Sequence, residues 1–135
     1  MSTFPMKKII KTVFLCFLPL LALSSAKAAD YVYFGFEPQI ITNYVAAKKN
    51  LGYVRLTVEL MIEGGSNFDV VEHHSPLLRD AIINIIGQQT EDKVKSIKGR
   101  KEIQILCEKK VQSLLTQETG KPLVKKLLFT QWLEN

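Results

Sequence analysis

Reactive side chains are scarce in this chain, whose 135 residues include two cysteines and two histidines. Cys16 lies inside an apolar run near the N-terminus, which leaves Cys107 in the remainder. One cysteine cannot close an internal disulfide, so the domain must stand on its hydrophobic core. Cys107 keeps helical spacing with Ile103, Val111 and Leu114, which places its thiol on the apolar side of a helix, as packing rather than as a nucleophile. His73 and His74 are adjacent. Helical neighbours point about 100° apart and cannot converge on one ion as residues four apart can. No E-x-x-H, H-x-x-x-H or cysteine pair adds ligands. A site of three or four donors therefore has no source, and neither a metal nor a cofactor is expected.

Hydrolytic and nucleotide chemistry lack their signatures as well. There is no G-x-S-x-G elbow. Gly64-Gly65 is followed by no further loop glycine and no Lys-Ser/Thr pair, so it reads as a turn rather than a phosphate cradle. The carboxylates are scattered: Glu59 faces outward from a strand beside Arg55, Asp80 follows Arg79, and Glu91-Asp92 open a helix where its dipole favours them. The expectation is a protein that is not an enzyme and has no small-molecule substrate. Internal repeats and low-complexity linkers are also absent, which leaves a single domain.

A long apolar run is missing too. The stretch Val13 to Leu23 has eleven residues, reaching only about half of the roughly 30 Å of a bilayer core. Lys7, Lys8 and Lys11 precede it, and Ala26-Lys27-Ala28 stands ahead of Ala29. These are the three parts of a secretory signal peptide over residues 1–28, with cleavage expected between Ala28 and Ala29; a short N-terminal membrane anchor is the alternative. No cysteine follows the run at a position suited to lipid attachment, which argues against a lipoprotein. The formal charge of +5 then shrinks, because Lys7, Lys8, Lys11 and Lys27 leave with the signal and all thirteen acidic residues stay. Fourteen basic residues remain, a balance of +1. Neither that balance nor export suits nucleic acid as a partner.

What is present is hydrophobic periodicity. Val54, Leu56, Val58, Leu60 and Ile62 alternate with Tyr53, Arg55, Thr57, Glu59 and Met61, the pattern of a half-buried strand. Gly64-Gly65 ends it, and Ser66 with Asp69 has the spacing of a capping box at a helix start. The helix runs to Gln88 with Val71, Leu78, Ile82 and Ile85 on its apolar stripe, joined by Phe68, Leu77, Ala81 and Ile86. Ser75-Pro76 inside it marks either the meeting of two helices, with Ser75 as cap, or a kink. Upstream, Tyr31 to Phe36 and Gln39 to Tyr44 read as strands separated by Pro38, an edge or bulge signal. The second is close enough to the Tyr53 strand to form an antiparallel hairpin.

Downstream, Thr90-Glu91-Asp92 begins a short helical turn and Ser96 to Gly99 breaks it. Arg100 to Gln117 forms a second long helix, apolar at Ile103, Leu106, Cys107, Val111, Leu114 and Leu115, with Lys101, Glu108, Lys109 and Gln112 on its outer face. Gly120 and Pro122 stop it, and Leu123 to Leu133 reads as a closing strand. The fold class is α+β: a small, mainly antiparallel sheet covered on one face by two long helices, in the order strand, strand, helix, helix, strand. Candidate partner-contact positions are Lys48-Lys49, the Tyr31 and Tyr33 face, and Trp132.

Four stretches together resemble the flagellar basal-body-associated FliL family. They are the strand Tyr53-Val54-Arg55-Leu56-Thr57-Val58-Glu59-Leu60, the helix Pro76-Leu77-Leu78-Arg79-Asp80-Ala81-Ile82-Ile83 with the loop Gly87 to Glu91, the run Ile97-Lys98-Gly99-Arg100-Lys101-Glu102, and the terminal Val124 to Leu133. The resemblance covers residues 29–135 almost throughout. It implies a stomatin/prohibitin-like domain and a non-enzymatic motor accessory. Such an accessory associates with the flagellar stator, forms homo-oligomeric rings and supports motility through protein contacts. Pro76, Arg79 and Asp80 are then family-pattern positions with a structural or interface role: a helix start and a surface or interface pair. The implied location is the periplasm after signal cleavage, or the periplasmic side of the inner membrane at the basal body if the segment stays as an anchor. An exported scaffold or binding module unrelated to the flagellum is the alternative function.

Overall fold

A computed structural model describes residues 27–47 and 51–135. Its centre is the twelve-residue strand Gly52–Glu63 (β3), whose alternation is realised residue by residue. Val54, Leu56, Val58, Leu60 and Ile62 are fully buried, and Tyr53, Arg55 and Glu63 are exposed on the other face.

One edge of β3 pairs antiparallel with β4 (Val124–Glu134) along nearly its whole length. The other edge is shared. Strand β1 (Tyr31–Gly35) pairs with residues 59–63 of β3, and β2 (Ile40–Tyr44) with residues 52–56. The two are halves of one interrupted edge strand. The interruption is Glu37-Pro38, a cis peptide, and proline, having no N–H for a ladder, belongs at such an edge. The expected hairpin forms, with Tyr44 opposite Gly52.

The chain then turns through Gly64, at φ +81°, into a 3-10 turn at Gly65–Asn67. Next come α1 (Phe68–His73), α2 (Ser75–Gly87), α3 (Glu91–Lys95) and α4 (Ile97–Thr119). The expected order holds when the interrupted edge strand and the broken first helix each count once, with α3 as the short turn begun at Thr90.

Both long helices cover one face of the sheet. Leu78, Ile82 and Ile86 of α2, and Ile103, Cys107, Val111 and Leu115 of α4, are fully buried against the inner residues of β3. Each buried aliphatic side chain of this kind contributes about 1.5–3 kcal/mol from apolar surface removed from water. This four-residue repetition on α4 is what a long helix needs to lie along a sheet. Leu106 and Leu77, assigned to the apolar stripes, are instead on their flanks, at 46% and 38% exposure.

Four local readings are corrected by the geometry. Ser66 and Asp69 form no capping box: α1 starts after Asn67, which has helical φ and ψ and caps nothing with its side chain. The tight reversal at Gly64 puts Ser66 inside the 3-10 turn, where it lacks the extended backbone a cap requires. Ser75 is not a cap either. Two helices meet at His74, Ser75 is already helical, and Pro76 sits in the first turn, where its missing N–H costs nothing.

Ser96, in extended backbone, does end α3, but Ile97 to Gly99 are not part of a break: they are the first turn of α4, which Ser96 caps, its Oγ accepting the Gly99 N–H at 3.0 Å. A Cβ at Gly99 would stand 2.1 Å from the Lys93 carbonyl oxygen. The glycine is what lets α3 and α4 meet so closely. Finally, Glu108 and Gln112 do not belong to the outer face, because both reach inward to the backbone of β4.

Candidate functional site

Interior chemistry is missing among the described residues. No polar or charged side chain there is buried, and no group of three or more His, Cys, Asp and Glu is placed to hold a metal ion. The rings of His73 and His74 meet edge to face at 5.1 Å, and His74 Nδ1 lies 2.8 Å from the Val70 carbonyl, so the second imidazole is tied to its own helix. Cys107 is a free, buried thiol, and desolvation pushes its pKa up to about 12. At neutral pH it holds its proton and is a poor nucleophile.

Polar side chains instead tie helices to strand backbones. On α4, Gln104, Glu108 and Gln112 form a column at four-residue spacing that faces β4. Gln104 Nε2 donates to the Leu127 carbonyl at 2.7 Å, Glu108 Oε2 accepts the Leu127 N–H at 2.9 Å, and Gln112 Nε2 donates to the Val124 carbonyl at 3.2 Å. The column satisfies backbone groups on the side of β4 away from β3 and protects that edge. The spacing Gln-x-x-x-Glu-x-x-x-Gln is visible in the sequence, but helical spacing alone put Glu108 and Gln112 on the outer face.

The family-pattern positions part company in space. Pro76 is exposed in the first turn of α2. Arg79 is half-buried and donates from Nη2 to the Pro38 carbonyl at 2.7 Å, with its Cζ 5.6 Å from the Phe36 ring centre. Asp80 is exposed and accepts from Asn84 Nδ2 at 3.1 Å. Arg79 and Asp80 thus have separate partners and do not form a pair with each other.

Arg100 repeats the device at the other end of the sheet. It donates from Nε to the Val94 carbonyl at 3.0 Å, pairs with Glu134, and lies 5.7 Å from the Trp132 ring centre. Trp132, a candidate for partner contact, is therefore half-buried, packed against Phe129 and under Arg100. Its indole N–H is buried with no hydrogen-bond partner among the described residues. Lys48-Lys49 and residues 1–26 lie outside the described residues. Ala28 and Ala29 are exposed and outside any helix or strand, and no helix of the described residues is long and apolar enough to cross a membrane.

Among the described residues, two surfaces combine exposed apolar side chains with room for a partner. Between α2 and α4 runs a groove of two adjoining depressions, about 430 and 410 Å³, lined by Leu77, Ala81, Ile85, Leu106, Lys110 and Leu114. Behind the sheet, on the face that no helix of the described residues covers, Tyr31, Tyr33, Ile41, Tyr53 and Leu133 are all exposed.

Residues 33–133, which run from β1 through the helices to β4, match the family model "Flagellar basal body-associated protein FliL". The chain belongs to the FliL family. The match spans β1 to β4 and includes Pro76, Arg79, Asp80 and Arg100. The chain is also similar to the flagellar protein FliL of Aquifex aeolicus (strain VF5), at 24% identity over 102 residues, which are 76% of this chain and 60% of that relative. This FliL-family chain thus spans less than two thirds of that relative's length. The family is one of flagellar basal-body-associated proteins, and among the described residues the long strand and paired helices leave a groove and a sheet face exposed.

Proposed function

We propose that this protein is a non-enzymatic accessory of the flagellar basal body that associates with the motor stator, self-associates into a ring, and supports rotation through protein contacts. The observation that carries the reading is the family match, which covers the folded unit from Tyr33 to Leu133 rather than a fragment of it. Membership in a family associated with the basal body supports a place at the motor. The side-chain chemistry supports a contact role: polar side chains serve to join helix to strand, and apolar side chains are left on the surface.

The groove between α2 and α4 is the surface we assign to the motor partner. Asp80 lines it beside Leu77, with Lys110 from α4, so a partner segment that places an apolar side chain in the groove can be oriented through charged neighbours of both signs. In this reading Arg79 is structural and Asp80 belongs to the interface. The protein works in the periplasm after cleavage between Ala28 and Ala29.

Deletion of the gene tests the reading. Loss of swimming with filaments of normal number and length, restored by the wild-type chain and not by Asp80→Lys, supports it. Unchanged swimming would instead favour an exported scaffold unrelated to the flagellum.

A further inference from the structure

The uncovered face of the sheet is unusual for a surface in contact with water. Antiparallel sheets with one solvated face present polar residues there, yet here five large apolar side chains are exposed on it. Ile41 and Leu133 are 57% and 51% exposed, and the strand register places them on either side of Arg55. Ile41, Tyr53 and Leu133 gather about Arg55 at one end of the face, and Tyr31 and Tyr33 lie at the other, level with Glu63 and Met61; exposed apolar clusters of this kind mark contact surfaces.

Its charges show which contact. Arg55 and Glu59 lie on this face of β3 and enter no ion pair among the described residues. They are placed symmetrically about Thr57, near the midpoint of the strand Gly52–Glu63. A second copy can stack on the face about a two-fold axis in two ways. With the axis along the strand, each residue meets itself, and Arg55 faces Arg55. With the axis across the strand at Thr57, each residue meets its mirror position, and Arg55 of each copy faces Glu59 of the other.

Only the second arrangement is self-complementary in charge. Its steric pairings also fit. Leu133, level with Arg55, meets Leu128, level with Glu59. Ile41, level with Arg55, meets Gly35, level with Glu59, where a Cβ would find no heavy atom within 4 Å. Tyr53 meets Met61, and the shallow depression of about 240 Å³ beside Ile41, Tyr53, Arg55 and Leu133 receives the opposite end of the other sheet. Aligned sheet packing at about 30° preserves these central pairings.

We infer that the open sheet face is a two-fold interface with a second copy of this chain, antiparallel strand on strand and centred on Thr57. This goes beyond the ring reading, since a two-fold contact is complete with two copies, and it uses the side of the sheet opposite the groove assigned to the motor.

The test is sedimentation velocity of the full chain over a concentration series, with Arg55→Glu, Glu59→Arg and the double exchange. The expected result is a dimer that each single reversal weakens by at least about ten-fold, since like charges then face each other, and that the double exchange restores. Neither side chain has an ion pair to lose among the described residues, and unchanged melting curves verify the fold. Gly35→Leu, whose Cβ would find no heavy atom within 4 Å among the described residues and which adds no charge beside Glu59, also abolishes the dimer by filling the space that Ile41 of the other copy takes. A wild-type chain that stays monomeric, or associates with no response to either reversal, overturns the inference. So does a double exchange that fails to restore the dimer, and so does a monomer that floats with lipid vesicles, which would give the face to a membrane. None of these outcomes touches the swimming phenotype, so failure here is separable from failure of the stator reading.

Discussion

Arg79 joins the first long helix to the break in the edge strand: its guanidinium donates to the Pro38 carbonyl at 2.7 Å while lying 5.6 Å from the centre of the Phe36 ring. Pro38 interrupts the ladder between β1 and β2, and a carbonyl at that interruption has no strand partner guaranteed by the sheet. The arginine supplies a charged donor from α2 and, by stacking on Phe36, fixes the helix over the interruption.

Replacing it has a defined cost. Arg79→Ala should destabilise the fold by about 1.5–3 kcal/mol, the range for a hydrogen bond from a charged group, with the ring contact included. Arg79→Lys should recover only part, since an ammonium lacks the planar fork that bonds and stacks at once. Urea denaturation midpoints at constant slope measure both.

The bond from the Leu127 N–H to Glu108 predicts a local effect. Glu108→Ala leaves an amide on the α4 side of β4 without its acceptor and should cost about 1–3 kcal/mol. Glu108→Gln keeps an acceptor and should cost less. Amide exchange at Leu127 should accelerate in the alanine variant while exchange at the fully buried core of β3 changes only as far as global stability falls. Equal acceleration everywhere would show that the column acts only through overall stability.

Cys107 sets a pH dependence. Burial pushes its pKa from 9.0 to about 12, so between those values the folded chain keeps a proton that the unfolded chain releases. Stability must then fall as pH rises through this window and be unaffected by the thiol below it. Going from about pH 8 to about pH 10, wild type should lose about 1.4 kcal/mol more than Cys107→Ala. The native thiol should also resist a disulfide reagent that reacts at once in urea.

Much of this molecule is legible from residue order, and the reason is periodicity. Alternation from Val54 to Ile62 identified the central strand and its buried face, because side chains of a strand alternate whatever surrounds it. The apolar spacing of Leu78, Ile82 and Ile86, and of Ile103, Cys107 and Val111, identified two helices with one covered face each. Pro38 marked an edge because it has no donor to give a ladder. The combination of these pieces in order was also enough to point to the family.

Caps and polar side chains were less legible. Ser66-x-x-Asp69 has the letters of a capping box, yet the turn at Gly64 placed Ser66 in a conformation that cannot cap. Ser96, whose neighbours looked like a break, is the residue that does cap. A capping bond depends on the backbone angles of the capping residue, which are set by where the preceding strand must deliver the chain.

The sequence by itself therefore determined the elements, their buried faces and the family, since these follow from the spacing of apolar residues along one chain. Tertiary structure alone decided that Glu108 and Gln112 turn to β4 instead of water, that Arg79 reaches Pro38 rather than Asp80, and that Tyr33, Ile41 and Leu133 share one uncovered face around Arg55 and Glu59. Each of those facts joins residues far apart in the chain. Their meeting is fixed by strand register and helix placement, which no local pattern contains.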